Sequence, residues 1–169
     1  MAVVEVTGEK EQKVILVGIT NCKESFYALD WTLRHHFSGE AKPGAAASKL
    51  FVVYAKATPS SVIGFGGLGS VDILPFVESS LSEIATSVIA EARELCVAKT
   101  TSEVVYEVIE GDASTVLCDA VEKFQADLLV LGSYGYPSIK RTVIRSVKDY
   151  CAHYANCNVL IVKQPMQEN

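Results

Sequence analysis

Residues 128–135 read LLVLGSYG, an aliphatic run followed by a turn that contains two glycines. A run of this length without polar alternation is typical of a strand covered on both faces, as in a parallel sheet between helices. Gly132 and Gly135 let the backbone approach a ligand closely, and Ser133 adds a hydroxyl. The stretch therefore predicts an α/β sheet with a binding loop at the end of one strand.

Four further apolar runs predict the other strands of this sheet. Between the runs, apolar residues recur at helical spacing, so each connection presents one apolar stripe. Strands and helices then alternate, which favours a doubly wound, five-stranded, Rossmann-like parallel sheet with helices on both faces. The runs are residues 14–17, 50–54, 104–109 and 159–162, and the stripes are Phe26, Leu29, Leu33 and Phe37, then Val77, Leu81, Ile84, Val88, Ala92 and Leu95, then Ala113, Val116, Leu117, Ala120, Val121 and Phe124.

Charged residues add detail to this outline. Glu103, Glu107 and Glu110 punctuate the run at 104–109, and charge of this kind marks an edge strand. Asp112 stands where a helix N-cap is expected. Ser146 with Asp149 matches the capping box that opens a helix.

The glycine-rich stretch at 58–75 is predicted to be a loop, and residues 41–48 a short linker. Residues 64–69 read GFGGLG, which matches the G-x-G-x-x-G pattern of dinucleotide-binding loops. That pattern should join the first strand tightly to a helix. Here it follows the second run and ends well before the helix expected around Val77, so we interpret it as a glycine-rich loop over the ligand crevice.

The composition is that of one globular domain. The chain has 169 residues, of which 49% are hydrophobic and 21% charged, with a net charge of −5. The basic residues are dispersed, which argues against nucleic acid or an anionic membrane as partner. No apolar run approaches the roughly 18–20 residues needed to cross a bilayer, and residues 1–12 are polar. We therefore expect a cytoplasmic protein.

The titratable residues predict neither a metal site nor a catalytic centre. The five cysteines lack paired CxxC spacing, so we expect reduced thiols, mostly buried. His153 and Cys157 are spaced for two ligands on one helix face, but Cys151 would point elsewhere, which leaves too few ligands for zinc. The strand-end loops contain few acids besides Asp112, and no assembled catalytic machinery is visible.

A ligand is expected at the carboxyl ends of the strands, at the point where the strand order reverses. The loop that begins at Gly132 is the richest candidate there. Lys140 and Arg141 add two cations, and Ser146 opens a helix whose first N–H groups favour an anion. These are the parts of a phosphate-binding loop.

Three separated segments resemble the universal stress protein family in its plant form. They are the opening strand and helix, with residues 14–20, Ser25, Ala28, Leu29 and Trp31; the junction at 110–113; and the C-terminal segments 131–141, 146–147 and 153–162. The resemblance implies a domain at 13–163 between tails at 1–12 and 164–169. It also implies the strand order 3-2-1-4-5, a homodimer through Val159–Val162, and an ATP or AMP site that takes Mg²⁺ with the nucleotide.

Two positions depart from the family's nucleotide signature, G-x2-G-x9-G-[S/T] with an aspartate ending the first strand. Gly132, Gly135 and Ser146 match it, but Arg145 replaces the third glycine and Thr20 replaces the aspartate. Arg145 either blocks the approach of the phosphates or supplies a cation that grips one of them. Thr20 offers a hydrogen bond but no charge.

Three functions remain open. The first is a binding module for an adenine nucleotide or another phosphate-bearing metabolite. The second is a chaperone-like or protein-interaction dimer that binds no nucleotide, and the third is an enzyme that has recruited the altered crevice, for example for slow nucleotide hydrolysis. We favour the first, with ligand contacts from Ile19, Thr20, Val53, Gly132, Ser133, Gly135, Lys140, Arg145, Ser146 and Val147.

Overall fold

The computed structural model describes residues 12–39, 47–63, 70–133 and 146–165. Strands and helices alternate along the chain, as predicted. Their bounds are β1 Lys13–Ile19, α1 Lys23–Thr32 with a π-helical turn at Leu33–Phe37, β2 Ser48–Lys56, α2 Pro59–Ile63, α3 Ser70–Lys99, β3 Val104–Glu110, α4 Ala113–Lys123, β4 Leu128–Ser133, α5 Val147–Tyr154 and β5 Asn158–Lys163.

The strands form one parallel sheet in the order β3-β2-β1-β4-β5, which confirms the predicted topology. β1 lies at the centre and pairs with β2 along its whole length and with β4 over Ile15–Val17. The glutamate-bearing β3 lies at one edge, as its sequence predicted, and β5 lies at the other, as the family resemblance implied. The Asp112 cap is also confirmed, since its carboxylate accepts the N–H of Thr115 at 3.2 Å.

Helices cover both faces of the sheet and enclose two apolar layers. One layer lies between the sheet and α1 with α3, and the other between the sheet and α4 with α5. Successive residues of β1 point alternately into the two layers, so Ile15 and Leu16 are both fully buried. This explains why β1 is a continuous apolar run.

The loop predicted at 58–75 is wrong in part, because this stretch contains two helical segments. α2 begins at Pro59, where the fixed φ of proline suits the first helical position and its missing N–H costs nothing. α3 begins at Ser70 and includes Pro75. Because Pro75 lies near the start of a 30-residue helix, it removes only one of the first backbone hydrogen bonds. A helix therefore follows Gly69 directly, whereas residues 64–69 lie outside the described part.

The sequence has no uninterrupted apolar run of bilayer-spanning length, as expected, but one helix passes a test of length and mean hydropathy. Ile73–Lys99 of α3 is long enough, with a mean hydropathy of 1.3. The same helix forms the crossover from β2 to β3 and buries Ala85, Val88, Ala92 and Cys96 against the sheet. Only 11% of its most apolar 18-residue stretch is buried, so packing against the sheet covers a small part of its apolar surface.

All five cysteines are free thiols, as predicted, although only Cys96 and Cys151 are fully buried. The Sγ atoms of Cys118 on α4 and Cys151 on α5 lie 4.0 Å apart. α5 ends at Tyr154, so His153 and Cys157 do not share a helix face as their spacing suggested. The described residues contain no metal-ligand cluster.

Burial, and after it the neighbouring Cys118 thiol, raises the pKa of Cys151 to about 12. The folded protein therefore holds this proton more tightly than the unfolded chain does. The resulting stabilisation is complete below the pKa of a free thiol, about 8.5, and is lost as the pH rises toward the folded value.

We expect the free energy of unfolding of the wild-type protein to fall as the pH rises from about 8.5 to about 10.5. The fall should be less steep in Cys151→Ala. Urea titration at several pH values measures both. Val88→Ala is the matched control, because it removes buried volume without removing a titratable group. It should lower stability at every pH and keep the wild-type slope. Equal slopes in all three proteins would contradict the role of the thiol.

Candidate functional site

The strand order reverses between β1 and β4, and an open α/β sheet is expected to have a ligand crevice at the carboxyl ends of the strands at such a point. From β1 the chain continues into α1 on one face of the sheet, whereas from β4 it continues toward α5 on the other face. The helices that follow these neighbouring strands therefore lie on opposite faces of the sheet, which is the usual ligand position in an open α/β sheet. The topology confirms the strand-order reversal at which the site was predicted, and the site itself stays a prediction.

The turn after β1 is held closed by Ser25. The N–H of Thr20 donates to Ser25 Oγ at 3.0 Å, and that hydroxyl lies 2.7 Å from the carbonyl oxygen of Thr20 and 3.1 Å from that of Cys22. Ser25 is buried, whereas Thr20 is exposed, with its Oγ1 2.9 Å from Cys22 Sγ. The turn thus presents an uncharged residue to the crevice.

Gly132 is required by packing as well as by any ligand. A Cβ atom on Gly132 would lie 2.5 Å from the carbonyl oxygen of Glu24 and 2.9 Å from the backbone nitrogen of Ser25. The first turn of α1 therefore rests directly on β4. The sequence interpretation, in which this glycine serves the approach of a ligand, missed this structural role.

Ser146 is the N-cap of α5, as predicted. Its hydroxyl accepts the N–H of Asp149 at 3.2 Å and donates to the Asp149 carboxylate at 2.6 Å. The capping box thus engages the hydroxyl that the family signature assigns to a phosphate. Val147 follows as the first residue of the helix.

Lys148 is a residue of this crevice that the sequence analysis missed. Its Nζ lies 3.4 Å from Ser133 Oγ, at the end of β4. In the sequence, the only sign of this contact is the place of Lys148 two residues after the predicted N-cap. The contact joins residues 15 positions apart, so no local pattern indicates it.

The remaining predicted residues fall into two groups. Ile19 and Val53 are 2% and 0% exposed, so their side chains support the crevice from within the core and do not face a ligand. Gly135, Lys140 and Arg145 lie outside the described residues.

Two grooves lie beside β3, away from this crevice. One has a volume of about 330 Å³ and is lined by Glu110, Asp112 and Asp119 with Lys123 at its rim. The other, about 530 Å³, lies between α3 and β3 and includes Lys56. Lys56 Nζ donates a hydrogen bond to the Glu78 carboxylate at 2.5 Å, which raises the pKa of Lys56, and the Glu110 carboxylate lies 3.8 Å from the same ammonium group. Lys56, in β2, thus links α3 to the sheet through its ion pair with Glu78.

Comparison with known proteins places the chain in a family. The universal stress protein family model matches residues 12–163. The chain belongs to the universal stress protein family. Universal stress protein PHOS32 of Arabidopsis thaliana is 24% identical over 168 residues, covering 91% of this chain and 66% of that protein. The chain spans 33% to 66% of the length of the curated relatives it matches.

Solved structures share the fold of this universal stress protein domain. One, a universal stress protein in complex with cAMP, has a TM-score of 0.62 and 20% identity, covering 89% of this chain and 96% of that chain. Another, a universal stress protein family protein from Arabidopsis thaliana with AMP bound, has a TM-score of 0.55 and 15% identity, covering 92% of this chain and 94% of that chain. Identities this low establish the common fold alone.

The contact between Gly132 and α1 leads to a mutational test. Gly132→Ala should lower the free energy of unfolding by about 2 kcal/mol or more, because the methyl group meets backbone atoms that move only with the helix. Urea titration measures the change. Ser133→Ala at the next position is the control and should cost less than about 1 kcal/mol. Equal, small losses in both variants would contradict the close approach of α1.

Proposed function

We propose that this universal stress protein domain binds an adenine nucleotide at the carboxyl ends of β1 and β4. The observation that carries the proposal is the diverging pair of connections there, with Ser133 and Lys148 on the β4 side and the Ser25-braced turn on the β1 side. Relatives of the same fold bind cAMP and AMP.

The proposed contacts reach the ligand from both the β1 side and the β4 side of the crevice. Thr20 offers a hydroxyl on the β1 side, and Gly132 and Ser133 offer backbone and hydroxyl groups at the end of β4. Val147, at the start of α5, contributes a first-turn N–H group. Gly135, Lys140 and Arg145 complete the proposed set from the connecting segment.

A role for Mg²⁺, the cytoplasmic location and the division into a domain at 13–163 with two tails stay predictions.

Thermal unfolding tests nucleotide binding. The protein is heated with Mg²⁺ and AMP, ADP or ATP at about 1–5 mM. A ligand present at roughly 100 times its dissociation constant raises the free energy of unfolding by about 2.7 kcal/mol. For a chain of this size that corresponds to a rise in Tm of roughly 5–10 °C. We expect such a rise in the wild-type protein. Gly132→Ala, which displaces α1 from the site, should show a smaller one.

Arg145→Gly distinguishes the two roles proposed for Arg145. A smaller rise in this variant than in the wild type means that Arg145 grips a phosphate. A rise confined to the variant means that Arg145 closes an inherited site. The absence of any rise in both proteins would contradict the proposal and favour the protein-interaction alternative.

We also propose that the domain forms a homodimer through β5. This strand lies at an open edge of the sheet, and the apolar side chains of Val159, Leu160 and Ile161 are only partly buried. An apolar edge strand with unpaired backbone groups favours association with a second copy.

Leu160→Lys should convert the dimer to a monomer in size-exclusion chromatography with light scattering, because it places a charge in the proposed interface. Val108→Lys is the matched control on the opposite edge, where Val108 of β3 is 45% exposed. It should leave the dimer intact. A wild-type monomer, or a Leu160→Lys dimer with the wild-type dissociation constant, would contradict association through β5.

A further inference from the structure

We infer that Lys148 is one of the cations that bind the phosphate of the ligand, and that the crevice selects its ligand by phosphate more than by ribose. The inference rests on the proposed nucleotide site and assigns a specificity-determining role to one residue in it. The ligand class is a nucleoside monophosphate or another phosphate monoester.

The geometry places Lys148 at the point where the two ends of the β4–α5 connection meet. Ser133 is the last residue of β4 and Lys148 is the second residue of α5, and the 3.4 Å contact joins their side chains. Both residues are half-buried. An ammonium group has three donors, and Ser133 accepts from one of them. The group can therefore bind a phosphate oxygen while Ser133 holds it in place.

Lys148 carries a positive charge in the first turn of α5, where the helix dipole disfavours one. The N-terminus of a helix carries partial positive charge, so a lysine in the first turn is repelled by it and an acidic residue is favoured there. Asp149 lies in the same turn, and its carboxylate accepts a hydrogen bond from the Ser146 hydroxyl. Lys148 instead points back to β4, where its charge and the helix dipole both favour an anion. Residues that oppose the preference of their local structure, as Lys148 does here, are expected at functional positions.

The turn at residues 20–22, on the β1 side of the crevice, contributes no carboxylate to balance this cation. Residues 20–22 are Thr20, Asn21 and Cys22, and the hydroxyl of Thr20 lies 2.9 Å from the Cys22 thiol. An uncharged hydroxyl discriminates weakly among ribose hydroxyls, whereas a charged donor to phosphate contributes a stronger hydrogen bond. Recognition should therefore depend chiefly on the phosphate.

Calorimetric titration with AMP, adenosine and 2′-deoxyadenosine 5′-monophosphate tests this inference. The proteins are the wild type, Lys148→Met, Lys148→Arg and Lys49→Met. Lys49 is the matched control, because it is also half-buried but lies at the amino end of β2, the opposite end of the sheet. Folding of each variant is checked by urea titration.

We expect Lys148→Met to weaken AMP binding about tenfold or more and to change adenosine binding less than about twofold. Lys148→Arg and Lys49→Met should keep the wild-type preference for AMP over adenosine. The wild type should bind AMP and its 2′-deoxy analogue within about threefold of each other.

An unchanged ratio of AMP to adenosine affinity in Lys148→Met would overturn the role of Lys148 and leave the nucleotide site standing. A wild type that strongly prefers AMP over the 2′-deoxy analogue would overturn selection by phosphate. A wild type that binds neither AMP nor adenosine would overturn the proposed function itself, together with this inference.

Discussion

The burial of β1 between two strands and two helical layers is the constraint on which the rest of the structure depends. Ile15 and Leu16 point to opposite faces and are both fully buried, and the strand pairs with β2 on one side and β4 on the other. With β1 at the centre, the chain must leave in one direction to reach β2 and β3 and return in the other to reach β4 and β5. The crevice at the ends of β1 and β4 is a consequence of that reversal.

The same packing determines the shape of the crevice. α1 lies so close to β4 that position 132 has no room for a side chain, and the buried hydroxyl of Ser25 fixes the turn that leads into this helix. The walls are therefore built by core contacts, whereas the polar side chains of Ser133 and Lys148 contact each other at the ends of β4 and α5, where we propose that a ligand binds.

Residues with local, periodic signals were the ones that sequence predicted well. The apolar runs gave the strands, Glu103, Glu107 and Glu110 indicated the edge position of β3, and Asp112 and Ser146 marked helix starts. The stretch at 58–75 was misjudged because glycine and proline suggest loops, although Pro59 opens a helix and Pro75 is tolerated within one. The packing role of Gly132 and the contact of Lys148 depend on residues distant in sequence, which no local pattern reports.

A crystal structure of the protein grown with AMP would test the central claim most directly, namely that the crevice between β1 and β4 binds a nucleotide through its phosphate. The account predicts the phosphate within hydrogen-bonding distance, about 3 Å, of both Ser133 Oγ and Lys148 Nζ. A nucleotide bound instead in either groove beside β3, or one in this crevice with its phosphate directed away from Lys148, would contradict it.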